Sequence, residues 1–373
     1  MLKLLPSKIV HPHFSPIPPF HLRSLSTLPK FQKAQIYDRF NGPLVLQEIP
    51  VPIPGPNDIL VNIKYSGVCH TDLHVWHGEF PGAVKFPLVG GHEGVGIVVA
   101  KGSHVTNFEI GEQAGIKWIN GTCLCCDMCK KGFEPNCYNA QNSGLHRNGT
   151  FQEYALVTAT EAPKIPFGVD LAKVAPILCA GVTVYRGLKE SNVRPGEIVA
   201  INGAGGGLGS LAIQYAKAMG MRVIAICKGL NQEDHVKQLG ADHFVDVDTS
   251  EDVVKEVIEL SHGGTHGVIN TAPAQDPIIQ ATKYVRTRGT IVILSLPKNT
   301  PIGADIFDTV TRAITIRGSY VGNRIDTDEA LAFFARGQIQ SLIQIRGLTE
   351  LPKIFDEMNN GTLVGRVVVD IQK

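Results

Sequence analysis

The sequence has no apolar stretch that approaches the ~20 residues of a membrane-spanning helix, and no long run of charge of one sign. The first absence argues against a helical membrane span. The second, with 35 basic and 34 acidic residues and a formal net charge of +1, argues against a nucleic-acid partner, which calls for a basic patch to neutralise phosphates. Cysteines are few, eight in 373 residues, too sparse for a disulfide-built secreted scaffold. Five of them nevertheless fall between positions 123 and 137, a crowding that suits thiolates on a metal in a reducing compartment. A chain of this length has room for two domains with sizeable cores.

Acidic residues are missing altogether before Asp38. Met1 to about Thr27 carries Lys3, Lys8 and Arg23, with serines at 7, 15, 24 and 26. A basic, serine-bearing, acid-free leader has the composition of a mitochondrial transit peptide, and Arg23-Ser24-Leu25-Ser26 resembles a matrix-protease cleavage site after Leu25. Prolines at 6, 12, 16, 18 and 19 confine any helix there to short pieces, and a disordered tail or a start codon assigned too early is the alternative. The expectation is a transit peptide over residues 1–27 and a protein of the mitochondrial matrix, with a cytoplasmic protein as the alternative.

Ser66 to Gly96 reads SGVCHTDLHVWHGEFPGAVKFPLVGGHEGVG and brings together Cys69, His70, Thr71, His74, His77, His92 and Glu93. Cysteine and histidine are the usual protein ligands of zinc, and a catalytic zinc keeps one position open. Cys69 and His92 can supply two ligands, with a third to come from downstream. Their separation is too long for a zinc finger, and His92-Glu93 lacks the second histidine of a helical metalloprotease site. Buried, hydrogen-bonded core residues are the competing reading. The surrounding glycines, which let backbone approach a ligand closely, favour a site.

From Lys33 to Ile63 the chain alternates short strand patterns with turns, such as Asn41-Gly42, and Gly94 to Ala100 forms another strand directly after His92-Glu93. Proline and glycine every 8–12 residues suggest an antiparallel, barrel-like β domain. Within it, GTCLCCDMCKKGFEPNC places Cys123, Cys126, Cys129 and Cys137 in a C-x2-C-x2-C-x7-C pattern. Four thiolates close a zinc tetrahedron with no open position, so this site is expected to be structural. Two disulfides are the alternative, disfavoured because such short spacings strain a bridge. Cys125 is spare.

Beyond about Leu171 the pattern changes to apolar strands alternating with helices, which predicts a doubly wound parallel sheet. Its first strand, Glu197 to Ile201, runs into NGAGGGLGS. The strict G-x-G-x-x-G spacing is absent because position 208 is leucine. Gly203, Gly206 and Gly209, with Gly207 and Leu208 between them, still provide a tight turn and a helix N-terminus for a pyrophosphate. The second strand, Val223 to Ile226, ends in Cys227-Lys228 rather than in the acid that binds an adenosine ribose. The missing carboxylate removes repulsion against a 2′-phosphate, and Lys228 can attract one.

These motifs together, with YSGVCHTDLH, VGGHEG, AGIKW, PILCAGVTVY, GGLGSLAIQYAKAMG, HGVIN and GSYVGNR, resemble the zinc-dependent medium-chain alcohol dehydrogenases of the yeast and fungal tetrameric type, from about Pro29 to the C-terminus. The resemblance implies a Rossmann cofactor domain over 179–320 and a β-rich, GroES-like barrel catalytic domain over 28–178 and 321–373. It implies two zinc ions per subunit: a catalytic one on Cys69, His92 and Cys179, with Glu93 behind or exchanging with these ligands, and a structural one on Cys123, Cys126, Cys129 and Cys137. Thr71 and His74 would relay the alcohol proton and His70 would contact the cofactor pyrophosphate. Phe80 stands where these enzymes often have a second tryptophan lining the alcohol pocket, and Cys227 where they carry the ribose-binding aspartate. The implied reaction is reversible oxidation of small alcohols to aldehydes or ketones with hydride transfer to NAD, in a homotetramer. An NADP-linked aldehyde reductase on the same fold is the alternative, and a non-enzymatic zinc-binding protein a remoter one.

Overall fold

The computed structural model describes residues 28–80, 84–363 and 365–373, so the expected leader over 1–27 lies outside the described residues. β1 (Phe31–Tyr37) and β2 (Val45–Pro50) pair antiparallel. Between them Asn41 takes φ of 55°, a conformation asparagine tolerates better than most side chains. β3 (Asp58–Val68) is the spine of the catalytic unit, followed by α1 (His70–Trp76), β4 (Leu88–Val89), which pairs with β1, and β5 (Glu93–Lys101). β6 (Gln113–Ile116), β7 (Ile119–Gly121), α2 (Asp127–Lys130), β8 (Gln141–Asn142) and β9 (Tyr154–Thr158) complete this stretch.

β5 covers one edge of β3, in antiparallel register from Ile59↔Lys101 to Gly67↔Glu93. Two register shifts, at Leu60/Val61 and Ile63/Tyr65, bend the pair, as bulges do. The bend lets the other edge of β3 carry two partners: β9 along Asp58–Asn62 and, further on, the last strand of the chain. Ile59, Val61, Ile63, Val98, Phe108, Ile116 and Phe151 fill the interior. The antiparallel, curled β unit matches the expectation.

The chain then runs through α3 (Leu171–Val174) and α4 (Ala180–Glu190) into the second unit. There follow β10 (Ile198–Asn202), α5 (Gly207–Ala218), β11 (Arg222–Cys227), α6 (Glu233–Gln238), β12 (His243–Asp246), α7 (Val253–Leu260), β13 (Thr265–Asn270), α8 (Asp276–Tyr284), β14 (Val285–Ile293), α9 (Ile306–Thr311) and β15 (Thr315–Gly318). The sheet is parallel throughout, in the order β12-β11-β10-β13-β14-β15. β10 is wholly buried, consistent with a strand covered on both faces. The order reverses between β10 and β13, and that switch point opens the crevice in which such sheets bind ligands.

Four elements finish the chain: α10 (Arg324–Ala335), β16 (Ile343–Gly347), α11 (Leu351–Asn359) and β17 (Arg366–Asp370). β17 pairs antiparallel with β3 and parallel with β16, and so closes the catalytic unit. The expected boundary at Val321 falls beside an element that both units share. Ala330 and Leu331 of α10 join the core around α4 and α5, where the Tyr215 hydroxyl donates to the Ala330 carbonyl at 3.0 Å. The start of α10 instead holds the cysteine lobe: Asn323 donates to the Gly132 carbonyl at 2.9 Å and the Arg324 N–H to Glu134 at 2.7 Å.

Candidate active site and metal centres

Between the two units lies a cavity of about 960 Å³, with Cys69, His92 and Cys179 at one end and the glycine loop at the other. Cys69 caps the N-terminus of α1, His92 precedes β5, and Cys179 caps α4. Three separate pieces of chain thus converge, and the donor atoms of Cys69, His92, Glu93 and Cys179 lie within 4.8 Å of one another. His92 Nε2 stands 3.2 Å from Cys179 Sγ, and its Nδ1 lies 2.8 Å from Asp72 Oδ1. Asp72 Oδ2 accepts the Cys69 N–H at 2.9 Å. One buried carboxylate therefore orients two of the donors, the arrangement that fixes the tautomer of a metal-binding histidine. Sequence reasoning gave Asp72 no role. A carboxylate three residues after the residue that caps a helix was the available signal.

The charges suit a cation. The neighbouring Cys179 thiol, and then His92, favour the Cys69 thiolate over the opposing effect of burial. Burial pushes His92 down, but Asp72 and Cys69 push it further up. Two sulfurs, one imidazole and space on the cavity side fit zinc with an open position. Glu93 is fully buried, and the Nη2 of Arg366 donates to both its oxygens, at 2.7 and 2.9 Å. Burial raises the Glu93 carboxyl and Arg366 opposes the rise. The packing is tight enough that a Cβ at Gly67 would fall 1.8 Å from Glu93 Oε2. Glu93 thus stands within reach of the metal donors, tied to a guanidinium that the sequence did not point to.

Cys123, Cys126, Cys129 and Cys137 also gather within 4.8 Å, and all eight cysteines are free thiols, which removes the disulfide alternative. The Cys126 N–H points at Cys123 Sγ and the Cys129 N–H at Cys126 Sγ, at 3.4 and 3.5 Å. The backbone of each x2 turn thereby stabilises a thiolate, and the N–H groups of Cys125 and Cys126 help to bring Cys123 down to about 6. Four sulfurs leave no open position, so this donor set fits a structural zinc. Cys125 is exposed and stands outside the set.

At the opposite end of the cavity, Gly203 turns the chain with φ of 74° out of β10. A Cβ at Gly209 would lie 2.2 Å from the Gly203 carbonyl, so the helix can pack this closely on the loop only with glycine there. Gly206 caps α5, and Gly203, Gly206, Gly207 and Leu208 line the cavity. Arg366 reaches this loop too: a Cβ at Gly207 would stand 3.3 Å from its Nη1. Its buried Nε has no hydrogen-bond partner. The glycine loop and the helix N-terminus behind it fit a pyrophosphate, with the Arg366 charge buried beneath them. Cys227 and Lys228 line the same end of the cavity, and burial raises the Cys227 thiol.

Near the metal donors, Thr71 Oγ1 lies 3.6 Å from Cys69 Sγ, and His70, Thr71 and His74 all face the cavity. His74 Nδ1 is 2.5 Å from Glu79, which accepts from Lys298 at 3.0 Å; neither partner was anticipated. Phe80 and Trp118 line the same end with ring centroids 5.3 Å apart. Trp118 Nε1 donates to the Tyr320 hydroxyl at 2.5 Å. His77 stays outside the site, bonded to Asn41 and Asn359.

Residues 207–336 match a family model described as zinc-binding dehydrogenase, and residues 55–167 one described as alcohol dehydrogenase GroES-like domain. Alcohol dehydrogenase 1 of Neurospora crassa is 53% identical over 348 residues, 93% of this chain and 99% of that protein. Acetophenone reductase from Geotrichum candidum, solved in complex with NAD, has a TM-score of 0.80 at 29% identity, covering 92% of this chain and 98% of its own. A zinc-binding dehydrogenase of Sinorhizobium meliloti solved with NADP has a TM-score of 0.83 at 28% identity, covering 92% and 100%.

Proposed function

The chain belongs to the zinc-dependent alcohol dehydrogenase family, and from this premise we propose that its substrates are small primary alcohols, ethanol among them, and some secondary ones. The enzyme is an NAD(P)-dependent alcohol dehydrogenase that uses zinc. One observation carries the reading: the Cys69, His92 and Cys179 donors stand at one end of a cavity whose other end is the glycine loop.

When bound, zinc would supply a Lewis acid and a nicotinamide cofactor a hydride acceptor. The protein's own residues do the rest. Cys69, His92 and Cys179 hold the cation, and Asp72 keeps His92 Nδ1 protonated so that Nε2 is free to bind it. Thr71 Oγ1 stands beside Cys69, where it would accept the hydrogen bond of the alcohol hydroxyl and release its own proton toward solvent as it takes the alcohol's. His74, 38% exposed and paired with Glu79, passes a proton to solvent. Phe80 and Trp118 wall the substrate end with apolar surface and limit chain length. The glycine loop would take the pyrophosphate.

Steady-state ethanol oxidation by residues 26–373 tests this, with Cys69→Ser and His92→Ala as the variants expected to abolish turnover while preserving the fold. Normal activity with full zinc content in either variant would sink the assignment. A second reading, an NADP-linked aldehyde reductase, is favoured by Cys227 and Lys228 at the end of β11.

Residues 1–27 act as a mitochondrial import signal in this reading, supported by their basic, acid-free composition. A reporter fused to them should enter the matrix; a cytoplasmic reporter would refute it. Assembly as a homotetramer is supported by α9, which exposes Ile306, Phe307 and Val310, and by β15 at the open edge of its sheet. Sedimentation of the purified enzyme checks the mass.

A further inference from the structure

The adenosine end of the cavity lacks what an NAD-only site uses. A carboxylate there accepts hydrogen bonds from the ribose hydroxyls and repels a 2′-phosphate. β11 instead ends on Cys227, whose sulfur accepts the Gly205 N–H. The nearest acid across the sheet is Asp246, opposite Cys227 in the register with β12. It is 5% exposed and does not line the cavity. Its Oδ1 accepts the Gly229 N–H at 2.7 Å and the Asp248 N–H at 3.2 Å, and its Oδ2 accepts the Thr249 hydroxyl at 2.9 Å. Three donors therefore hold that charge turned into its own loop.

Two other side chains face the cavity on this side. Lys228 is exposed and makes no ion pair among the described residues. Gln232 lies over the glycine loop: a Cβ placed on Gly205 would stand 2.6 Å from Gln232 Oε1. Its amide therefore sits against the same residue that donates to Cys227. Asp276 and Lys298 also line the cavity, but they follow β13 and β14, across the switch point from β11.

We propose that Gln232 replaces the missing carboxylate as the group that holds the adenosine ribose, and that with Lys228 it admits a 2′-phosphate as readily as a 2′-hydroxyl. An amide both accepts and donates. Its oxygen accepts a hydrogen bond from a 2′-hydroxyl, and its NH2 donates to a phosphate oxygen, whereas a carboxylate only accepts. Lys228 adds a charge-assisted donor to the phosphate and loses little when the phosphate is absent. The enzyme therefore binds NAD and NADP with comparable affinity, and Gln232 and Lys228 set the ratio. This rests on the dehydrogenase reading above.

The test is equilibrium titration of the zinc-loaded enzyme with NADH and with NADPH, followed by nucleotide fluorescence without alcohol. The two dissociation constants should agree within about tenfold, the scale of one charge-assisted hydrogen bond. Gln232→Glu and Lys228→Ala should each shift the ratio toward NADH by about tenfold. A wild-type ratio beyond tenfold in either direction, or a ratio that neither variant moves, overturns the inference while leaving the dehydrogenase reading intact. Failure of both nucleotides to bind would instead overturn that reading.

Discussion

Replacing Asp72 by Asn changes one atom type at the point where two metal donors are aimed. The carboxylate accepts from His92 Nδ1 at 2.8 Å and from the Cys69 N–H at 2.9 Å, and the residue is 5% exposed. An asparagine side chain has one accepting oxygen and one NH2. If the oxygen serves His92, the Cys69 N–H meets a second donor. If it serves Cys69, His92 has to surrender the proton on Nδ1 and carry it on Nε2, which faces Cys179 Sγ at 3.2 Å and is then closed to metal. The first arrangement orphans a buried donor, at a cost of about 1–3 kcal/mol, and the second trades that cost for a histidine whose Nε2 has to lose a proton before it binds metal. Converted at about 1.4 kcal/mol per decade, the loss is roughly 5- to 150-fold, in keeping with the 10–100-fold typical of groups that orient metal ligands. The assay is competition with a chromophoric chelator, alongside kcat/KM for ethanol. Asp72→Asn should release the active-site zinc 10–100-fold more readily and retain the zinc of the four-cysteine lobe. An Asp72→Asn enzyme that holds both ions as firmly as the parent, at parental kcat/KM, would refute the orienting role.

Arg366→Met leaves Glu93 buried without a partner and should cost about 3–5 kcal/mol by denaturant titration. Adding Glu93→Gln should recover part of that loss; no recovery would mean that the pair is not the origin of the effect. Cys126→Ser should halve the zinc content and lower the melting temperature while the remaining zinc stays at the active site, as measured by metal analysis and calorimetry. Burial holds the Cys129 thiol up to about 12, so it releases a proton when metal binds. Zinc affinity of the lobe should therefore fall as pH is lowered, by about tenfold per unit for each proton displaced, and dialysis at stepped pH reads it. Phe80→Ala removes one of the two rings walling the substrate end and should raise kcat/KM for longer primary alcohols relative to ethanol by about tenfold. An unchanged ratio would place the size limit elsewhere.

Much of this was legible because the chemistry sits in local patterns. The two-residue spacings of the cysteine lobe, the glycine loop after a buried strand and the alternation of strand and helix all report on neighbours in sequence. The first turn of α5 was less visible: it starts at Gly207, inside the glycine loop, where no apolar period marks a helix. Asp72 was overlooked because a carboxylate beside a helix start reads equally well as a cap, and here it is both cap and orienter. Glu79 and Lys298 meet across 219 residues, a separation no local pattern encodes. Arg366 left one faint mark, a charge ahead of the apolar run at 367–369, and only the fold shows that it pairs with Glu93 and packs on the glycine loop. α10 shows the limit for domain boundaries, since one helix satisfies both units.

The bond between Arg366 and Glu93 spans 273 residues and carries a consequence for how the molecule is made. A growing chain exposes Cys69, His92 and Glu93 long before Cys179, and all of them well before the final strand. Until β17 closes on β3, Glu93 has no countercharge and would resist burial beside the thiolates. The ordering of the active site is therefore deferred until β17 is in place, and contacts of such long separation form slowly. A chain that has not yet made β17 can carry every liganding residue and still be catalytically silent, because the countercharge of Glu93 has yet to arrive.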